Sequence, residues 1–365
     1  MEDYKVTSLI KLKLNRSLSL LKEVRTRSPG AGIIAFGVGS AGCRILSYLH
    51  RSSIPIEKFL YVSYDEQDLS YSPIGEKILI NPDSYSSKSP SNIRGMAKDY
   101  IEQIRKILVD SKYVFIVSGL GGNTGSGLSP LLAKIAKESK VIVISIVAMP
   151  FKFEKNKHFF AGVALRQIRK LSDAVIIIDN DSLLEKAPKE SMLDVYALMN
   201  EKISTALNKL MESPQGKDVG IGLRKFIEAI NQRGYAILSV CESLGATEQA
   251  LIEVSRSVHQ IAELSQASSA ILCITSHGSV SAEDVAASVS RIGSLFGNGS
   301  IKIQYGISIS DKQGLTAILL TSGYKDTKFS DYDPIAKALH NIEVDEDLDM
   351  SLSVELPKIY NLEES

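Results

Sequence analysis

Cysteine is scarce in this 365-residue chain, and the three that occur, Cys43, Cys241 and Cys273, show no CxxC spacing. Neither a disulfide framework nor a zinc site is indicated. The five histidines, His50, His158, His259, His277 and His340, are scattered without ligand-like pairing, so no protein-built metal centre is expected. Charge of one sign is missing as well: 42 Lys+Arg balance 42 Asp+Glu, which leaves no global basic field for nucleic acid or acidic lipid. Long apolar runs are also absent. The longest, Val141 to Phe151, falls far short of the roughly 20 residues that a membrane-spanning helix requires. The first residues lack the apolar core and small-residue cleavage site of a secretion signal. Together these absences predict a cytoplasmic protein with no nucleic-acid partner and no direct membrane insertion. What is present, 44% hydrophobic and 23% charged residues, is the composition of a folded chain. The length exceeds one ordinary core and predicts two domains plus tails.

The neutral total hides an asymmetry. Residues 1–30 form a basic amphipathic extension in which Lys11, Lys13, Arg16, Lys22, Arg25 and Arg27 interleave with leucines, whereas residues 326–365 form an acidic tail, densest from Glu343 to Asp349. Such blocks mark solvated arms or partner-binding tails. Between them, apolar runs alternate with helical patterns. Strands are predicted over 32–37, 59–64, 113–118, 141–147 and 174–179, with helices over 43–51, 96–108, 128–139 and through Arg166 and Lys170. Apolar runs without alternation are what parallel strands buried on both faces look like. This spacing predicts a doubly wound parallel sheet over 31–190. A long central helix follows at 191–213, ended by Pro214. Residues 214–325 read as a smaller α+β domain whose last two strands, 301–310 and 316–322, form a hairpin across Asp311 to Gly314.

Two glycine loops carry the chemistry. Gly37-Val-Gly39-Ser40-Ala41-Gly42 follows a predicted strand and opens a helix that continues with Cys43 and Arg44. Glycines let the backbone turn tightly beside a phosphate, and a helix N-terminus offers unpaired N–H groups. By itself this loop suggests a dinucleotide-binding oxidoreductase, with Asp65 near the end of the second strand as the ribose carboxylate. The second loop, Gly119-Leu-Gly121-Gly122-Asn123-Thr124-Gly125-Ser126-Gly127, also lies between a strand and a helix. Its glycines and the Thr124 and Ser126 hydroxyls form another array of donors. Two facing loops imply a longer phosphate chain than a nicotinamide cofactor carries. Replacing Thr124 and Gly125 together by valine is expected to remove phosphate binding without unfolding the protein. The absence of GxxxxGK[ST] disfavours a P-loop ATPase.

At these residues the chain resembles the tubulin/FtsZ superfamily, whose signature loop reads GGGTGSG or GGGTGTG, and the likeness extends over roughly residues 31–325. Phe151-Lys-Phe-Glu154 resembles the segment whose glutamate holds the ribose. Asn180, within Ile178 to Leu184, resembles the guanine-side loop. Leu193 to Glu201 resembles the central-helix motif, which implies that Tyr196 stacks on guanine while Asn200 and Glu201 bond its edge. The resemblance also implies GTP/GDP as ligand, Mg2+ bound through the nucleotide phosphates, head-to-tail self-assembly into protofilaments, and a role in cell division or shape. The acidic tail is then a candidate docking peptide for a membrane tether or regulator.

Several residues depart from that pattern. Ser40, Ala41, Cys43 and Arg44 stand where the family favours glycine and asparagine. Asn123 replaces the third signature glycine, a place where asparagine tolerates left-handed backbone. His158 stands in place of an arginine near the nucleotide. The NxDxxD loop that, by the resemblance, completes the next subunit's active site is matched by Gly220-Ile-Gly-Leu-Arg-Lys225, and only Asp218 is near as a weak catalytic candidate. Losing the group that positions water removes about 10²–10⁴-fold from such a rate, so slow or absent hydrolysis is expected. A non-polymerising guanine-nucleotide sensor on the same fold is the alternative reading.

Overall fold

The computed structural model describes residues 32–334, apart from 53, 73, 82–88, 185–190, 215–217, 233, 245–246, 279, 297–300 and 311–312. The basic extension and the acidic tail past residue 334 lie outside the described residues. In chain order the first half runs β1 (Ile33–Val38), α1 (Gly39–Leu49), β2 (Lys58–Ser63), α2 (Glu66–Ser70), β3 (Glu76–Leu79), α3 (Pro90–Met96), α4 (Ile101–Leu108) and β4 (Tyr113–Gly119). It continues through α5 (Asn123–Glu138), β5 (Ile142–Met149), α6 (Lys155–Leu171), β6 (Ala174–Asp179) and α7 (Asn180–Leu184) to the long helix α8 (Met192–Met211). The second half adds α9 (Gly222–Ile230), β7 (Tyr235–Ser243), α10 (Thr247–His259), β8 (Ser269–Ser276), α11 (Ala282–Leu295), β9 (Lys302–Ile309) and β10 (Leu315–Tyr324).

The ten strands among the described residues join one sheet in the order β3-β2-β1-β4-β5-β6-β7-β10-β8-β9. β10 alone runs against its neighbours. The parallel order 3-2-1-4-5-6 reverses direction between β1 and β4, and the carboxyl ends of strands at such a switch point are where α/β sheets bind ligands. β1, β4, β5 and β6 are buried along nearly their whole length, because helices cover both faces. α1, α8 and α9 pack on one face. α3, α4 and α5 cover part of the other, and α6, α10 and α11 cover the rest.

Three expectations are corrected. β9 and β10 do not form a hairpin, because β8 lies between them and pairs with both. The pattern of burial explains the arrangement: β10 is almost wholly buried and takes a central slot, whereas β9 exposes Lys302, Tyr305 and Ile309 and takes the edge. The chain steps over the end of β8, where Ser310 N donates to Ser276 O at 2.9 Å and His277 N to Gly314 O at 3.1 Å. The helix predicted at 96–108 is divided by a 3-10 turn, Ala97–Tyr100. The helix predicted from Leu128 begins at Asn123, so the second half of the signature loop is the first turn of α5. The tail-ward chain closes on a 3-10 turn, Lys328–Tyr332, tied to the first half by the Lys328–Asp179 ion pair and by Arg166–Asp333 at 2.6 Å. No helix among the described residues is long and apolar enough to cross a membrane.

Candidate nucleotide site

A cavity of about 470 Å³ opens at the carboxyl ends of β1, β4 and β5, directly over the switch point. The first loop contributes Gly39, Ser40, Ala41 and Arg44, the second Gly122, Asn123, Thr124 and Gly125, and the far wall Glu154, Asn180, Tyr196 and Asn200. The two loops nearly touch: a Cβ placed on Gly39 would lie 3.0 Å from the Cβ of Thr124. The glycines divide by task. Gly39 and Gly121 have φ of +67° and +91°, a left-handed backbone that other residues adopt at a cost. Gly42 and Gly125 instead allow close packing, since a Cβ on them would meet the carbonyls of Val117 and Gly119 at 2.2 and 2.0 Å. Gly127 packs the same way against Pro90 O at 2.5 Å. Around Gly122 a Cβ would meet nothing within 4 Å, so its backbone faces open space.

This geometry corrects the expectation that valine at Gly125 leaves the fold intact, because the glycine is wedged against β4. Asn123 needs no left-handed conformation either. It is the first residue of α5, and the positive φ falls on Gly121. Ser126 is not on the cavity wall. Its hydroxyl accepts from Gly121 N at 2.8 Å and so fixes the turn.

The far wall is built around one carboxylate. Glu154 Oε2 accepts from Phe151 N at 3.0 Å, and Oε1 accepts the Tyr196 hydroxyl at 3.1 Å and pairs with Lys157. Burial and then the Glu154 charge push the Tyr196 phenol well above its ordinary range, so it stays protonated and donates. Lys157, which also lines the cavity, was missed in the sequence; its spacing of three from Glu154 on one helical turn was the available signal. Asp65 and Asp68 line the β2 side. Asp65 caps α2 by accepting from Gln67 N at 2.9 Å. Asp68 accepts from Ser63 Oγ at 2.7 Å, and its partial burial raises its pKa. Arg44 stacks on Tyr71 at 3.9 Å and bonds its hydroxyl.

Seven expected residues lie away from the cavity wall: Gly121, Ser126 and Gly127, whose roles are given above, and Gly42, Cys43, His158 and Glu201. Cys43 is fully buried, with its thiol donating to Gly37 O at 3.3 Å and held un-ionised by burial. Gly42 is occupied by packing, as above. His158 bonds Phe151 O at 3.0 Å and stacks on Tyr332 at 3.8 Å, which turns it toward the closing 3-10 turn. Glu201 is exposed on α8, whereas the neighbouring Asn200 is buried against the cavity.

Residues 32–188 match the description "Tubulin/FtsZ family, GTPase domain". The curated relatives include cell division protein FtsZ 1 of Pyrococcus woesei, 32% identical over 238 residues, which are 60% of this chain and 64% of that protein. Residues 32–188 thus belong to the tubulin/FtsZ superfamily as its GTPase domain. A second relative, FtsZ of Helicobacter pylori, is 29% identical over 243 residues, 63% of this chain and 61% of that protein. The chain thus spans somewhat over three fifths of the length of these relatives. Among solved structures, the empty FtsZ dimer of M. jannaschii superposes with a TM-score of 0.70 at 22% identity, over 87% of this chain and 95% of that one. The GTPγS-bound protofilament of CetZ2 from Haloferax volcanii gives 0.66 at 21%, over 84% and 99%. These two show a shared fold.

Proposed function

We propose that the chain binds GTP and GDP in this cavity and assembles head to tail into cytoskeletal protofilaments, with hydrolysis slow or absent. Two donor-rich loops at the switch point suit a triphosphate, and Glu154 has a free lone-pair capacity for ribose hydroxyls beside Tyr196. The Asn180 and Asn200 amides offer both donors and acceptors to a purine edge. The superfamily membership and the GTPγS-bound protofilament of CetZ2 support the same reading.

Mg2+ fits the residues present. It keeps most of its waters and takes one or two carboxylates plus phosphate oxygens. Asp65 and Asp68 supply carboxylates in the wall, and no group of three such ligands among the described residues forms a cage without the nucleotide. When bound, the ion neutralises phosphate charge. The chain's own part is to orient the phosphates through the backbone N–H groups of both loops.

The observation that carries assembly is the position of residues 218–225. They follow α8, whose 20 residues separate its two ends by about 30 Å and whose first half, Leu193 to Asn200, lines the cavity, so a segment past the other end is suited to reach another copy's cavity and not its own. Such a contact is heterologous and does not close, which makes filaments. In that place Lys225 is exposed at the start of α9, suited to a neighbour's phosphate and not to activating water. Asp218 Oδ1 accepts from Ile309 N at 3.4 Å, and no carboxylate stands between Val219 and Glu228. GTP turnover measured beside sedimentation tests the proposal. Nucleotide-dependent pelleting with little phosphate release is the expected result. Tight binding without pelleting would leave a nucleotide sensor instead.

A further inference from the structure

On the sheet face opposite α8, helices α10 and α11 leave a groove of about 310 Å³ between them. Ile252 and Leu295 lie exposed on its walls at 40% and 42%, with Leu264 and Ile292 buried behind them. Its rim is basic: Arg256, His259 and Arg291 surround the apolar floor. Arg291 is paired with Glu248. Arg256 and His259 form no ion pair with another described residue, although their helix ends in them and its terminal carbonyls favour cations there. A groove with an apolar floor and an under-compensated basic rim suits an acidic segment that carries apolar side chains at intervals.

The chain leads toward this face. Lys328 N donates to Ile261 O at 2.9 Å, just past the end of α10. Phe329 is buried in the core that α6 and α10 share, and Asp333 is fastened to Arg166 on α6. The described residues therefore stop, at 334, on the same face as the groove. Nine residues later comes Glu343-Val-Asp-Glu-Asp-Leu-Asp349, followed by Met350, Leu352, Val354 and Leu356. Nine extended residues reach about 30 Å, and neighbouring helices stand about 8–10 Å apart, so the acidic segment is within range of its own groove.

We propose that residues 343–356 dock into the α10–α11 groove of the same chain, their carboxylates against Arg256, His259 and Arg291 and their apolar side chains over Ile252 and Leu295. The tail is then either folded back on its own body or free for a partner, and salt shifts the balance toward release because the rim is solvent-exposed.

The experiment uses the full chain. The three native cysteines are buried, so nitroxide labels go selectively on Gln260→Cys, beside the groove, and Ser351→Cys, in the tail. A narrow short-distance population is expected at low salt. Its loss is expected at high salt and in Arg256→Glu with Arg291→Glu, with unchanged circular dichroism. Reversing the tail as well, Asp345→Lys with Asp347→Lys, should restore it, which a folding defect would not permit. A broad distribution at low salt, the same in the reversed groove, overturns the proposal. So does a short distance that disappears on dilution with unlabelled chain, since the contact would then lie between copies.

Discussion

The Tyr196 hydroxyl donates to Glu154 Oε1 across 3.1 Å and joins the long helix α8 to the turn that opens α6. The same carboxylate holds Lys157 and the backbone of Phe151, so one side chain organises a whole wall of the cavity. Removing the phenolic hydroxyl deletes one hydrogen bond, while removing the carboxylate frees three groups. Tyr196→Phe should weaken GTP binding by about 2–10-fold, the equivalent of roughly 0.5–1.5 kcal/mol. Glu154→Ala should weaken it at least about 10-fold, because bonds to a charged group are worth roughly 1.5–3 kcal/mol. Titration calorimetry on both variants checks the order, and wild-type affinity in Glu154→Ala would remove the ribose assignment.

Guanine selectivity should follow Asn200 and not Glu201. Asn200 is 5% exposed and lines the cavity, whereas Glu201 faces solvent. Asn200→Ala should bring the GTP and ATP affinities to within a few-fold of each other, as losing one or two paired bonds at about 1 kcal/mol each implies. Glu201→Ala should leave both unchanged. Competition binding with ATP separates the two, and a selectivity collapse in Glu201→Ala would reverse the assignment.

The glycines of the second loop should part company in the same way. A side chain at Gly122 meets open space, while one at Gly125 collides with Gly119 O. Gly122→Val should keep its melting temperature and lose nucleotide affinity at least about 10-fold, since its bulk occupies phosphate space. Gly125→Ala should cost about 1–3 kcal/mol of stability through overpacking, a fall of several degrees. Equal melting temperatures for the two would contradict the close packing of α5 on β4.

Much of this arrangement was legible in the residues. Uninterrupted apolar runs such as Ala174 to Asp179 marked buried parallel strands, and strand–glycine–helix junctions marked the switch point. The false hairpin shows the limit. Two apolar runs and a short loop do not say whether a third strand sits between them, because that choice belongs to long-range pairing with β8. The edge strand β3, with Glu76 and Lys77 exposed, carries too little apolar pattern to be seen. His158 and Glu201 were placed by resemblance alone, and side-chain packing decided otherwise: Tyr332 provides a ring for His158, and the turn of α8 puts Asn200 inward.

The buried ion pair that closes the chain should be a stability determinant. Asp333 is 3% exposed and Arg166 22%, so deleting the carboxylate leaves a guanidinium uncompensated. Asp333→Ala should lower unfolding stability by about 3–5 kcal/mol. Arg224→Ala, which breaks a surface pair with Glu228, should change it by about 1 kcal/mol or less. Urea denaturation of the two variants gives the comparison, and a small effect in Asp333→Ala would mean that the last turn is not fastened to α6.

Hydrolysis is where this chain should depart from a competent water-positioning site. With Gly220-Ile-Gly-Leu-Arg-Lys225 offering no carboxylate, turnover should be at least about 100-fold slower than such a site supports, and filaments formed with GTP should persist. Restoring carboxylates by Gly222→Asp with Lys225→Asp should raise phosphate release. Gly222 has a φ of +72° and open surroundings, with only Glu212 O near at 3.9 Å. Aspartate is among the residues that tolerate this conformation best, so the variant should fold at a modest cost. Removing Lys225 also removes a cation from the subunit contact, so pelleting is measured beside turnover, and Lys225→Ala alone serves as the control for weakened assembly. Asp218 is the internal competitor. Its carboxylate bonds the end of β9, and Asp218→Ala should leave the slow basal rate unchanged. Brisk hydrolysis lost in that variant would show that Asp218 supplies the catalytic group. Brisk hydrolysis surviving it would place the group elsewhere and end the proposal of a degenerate loop.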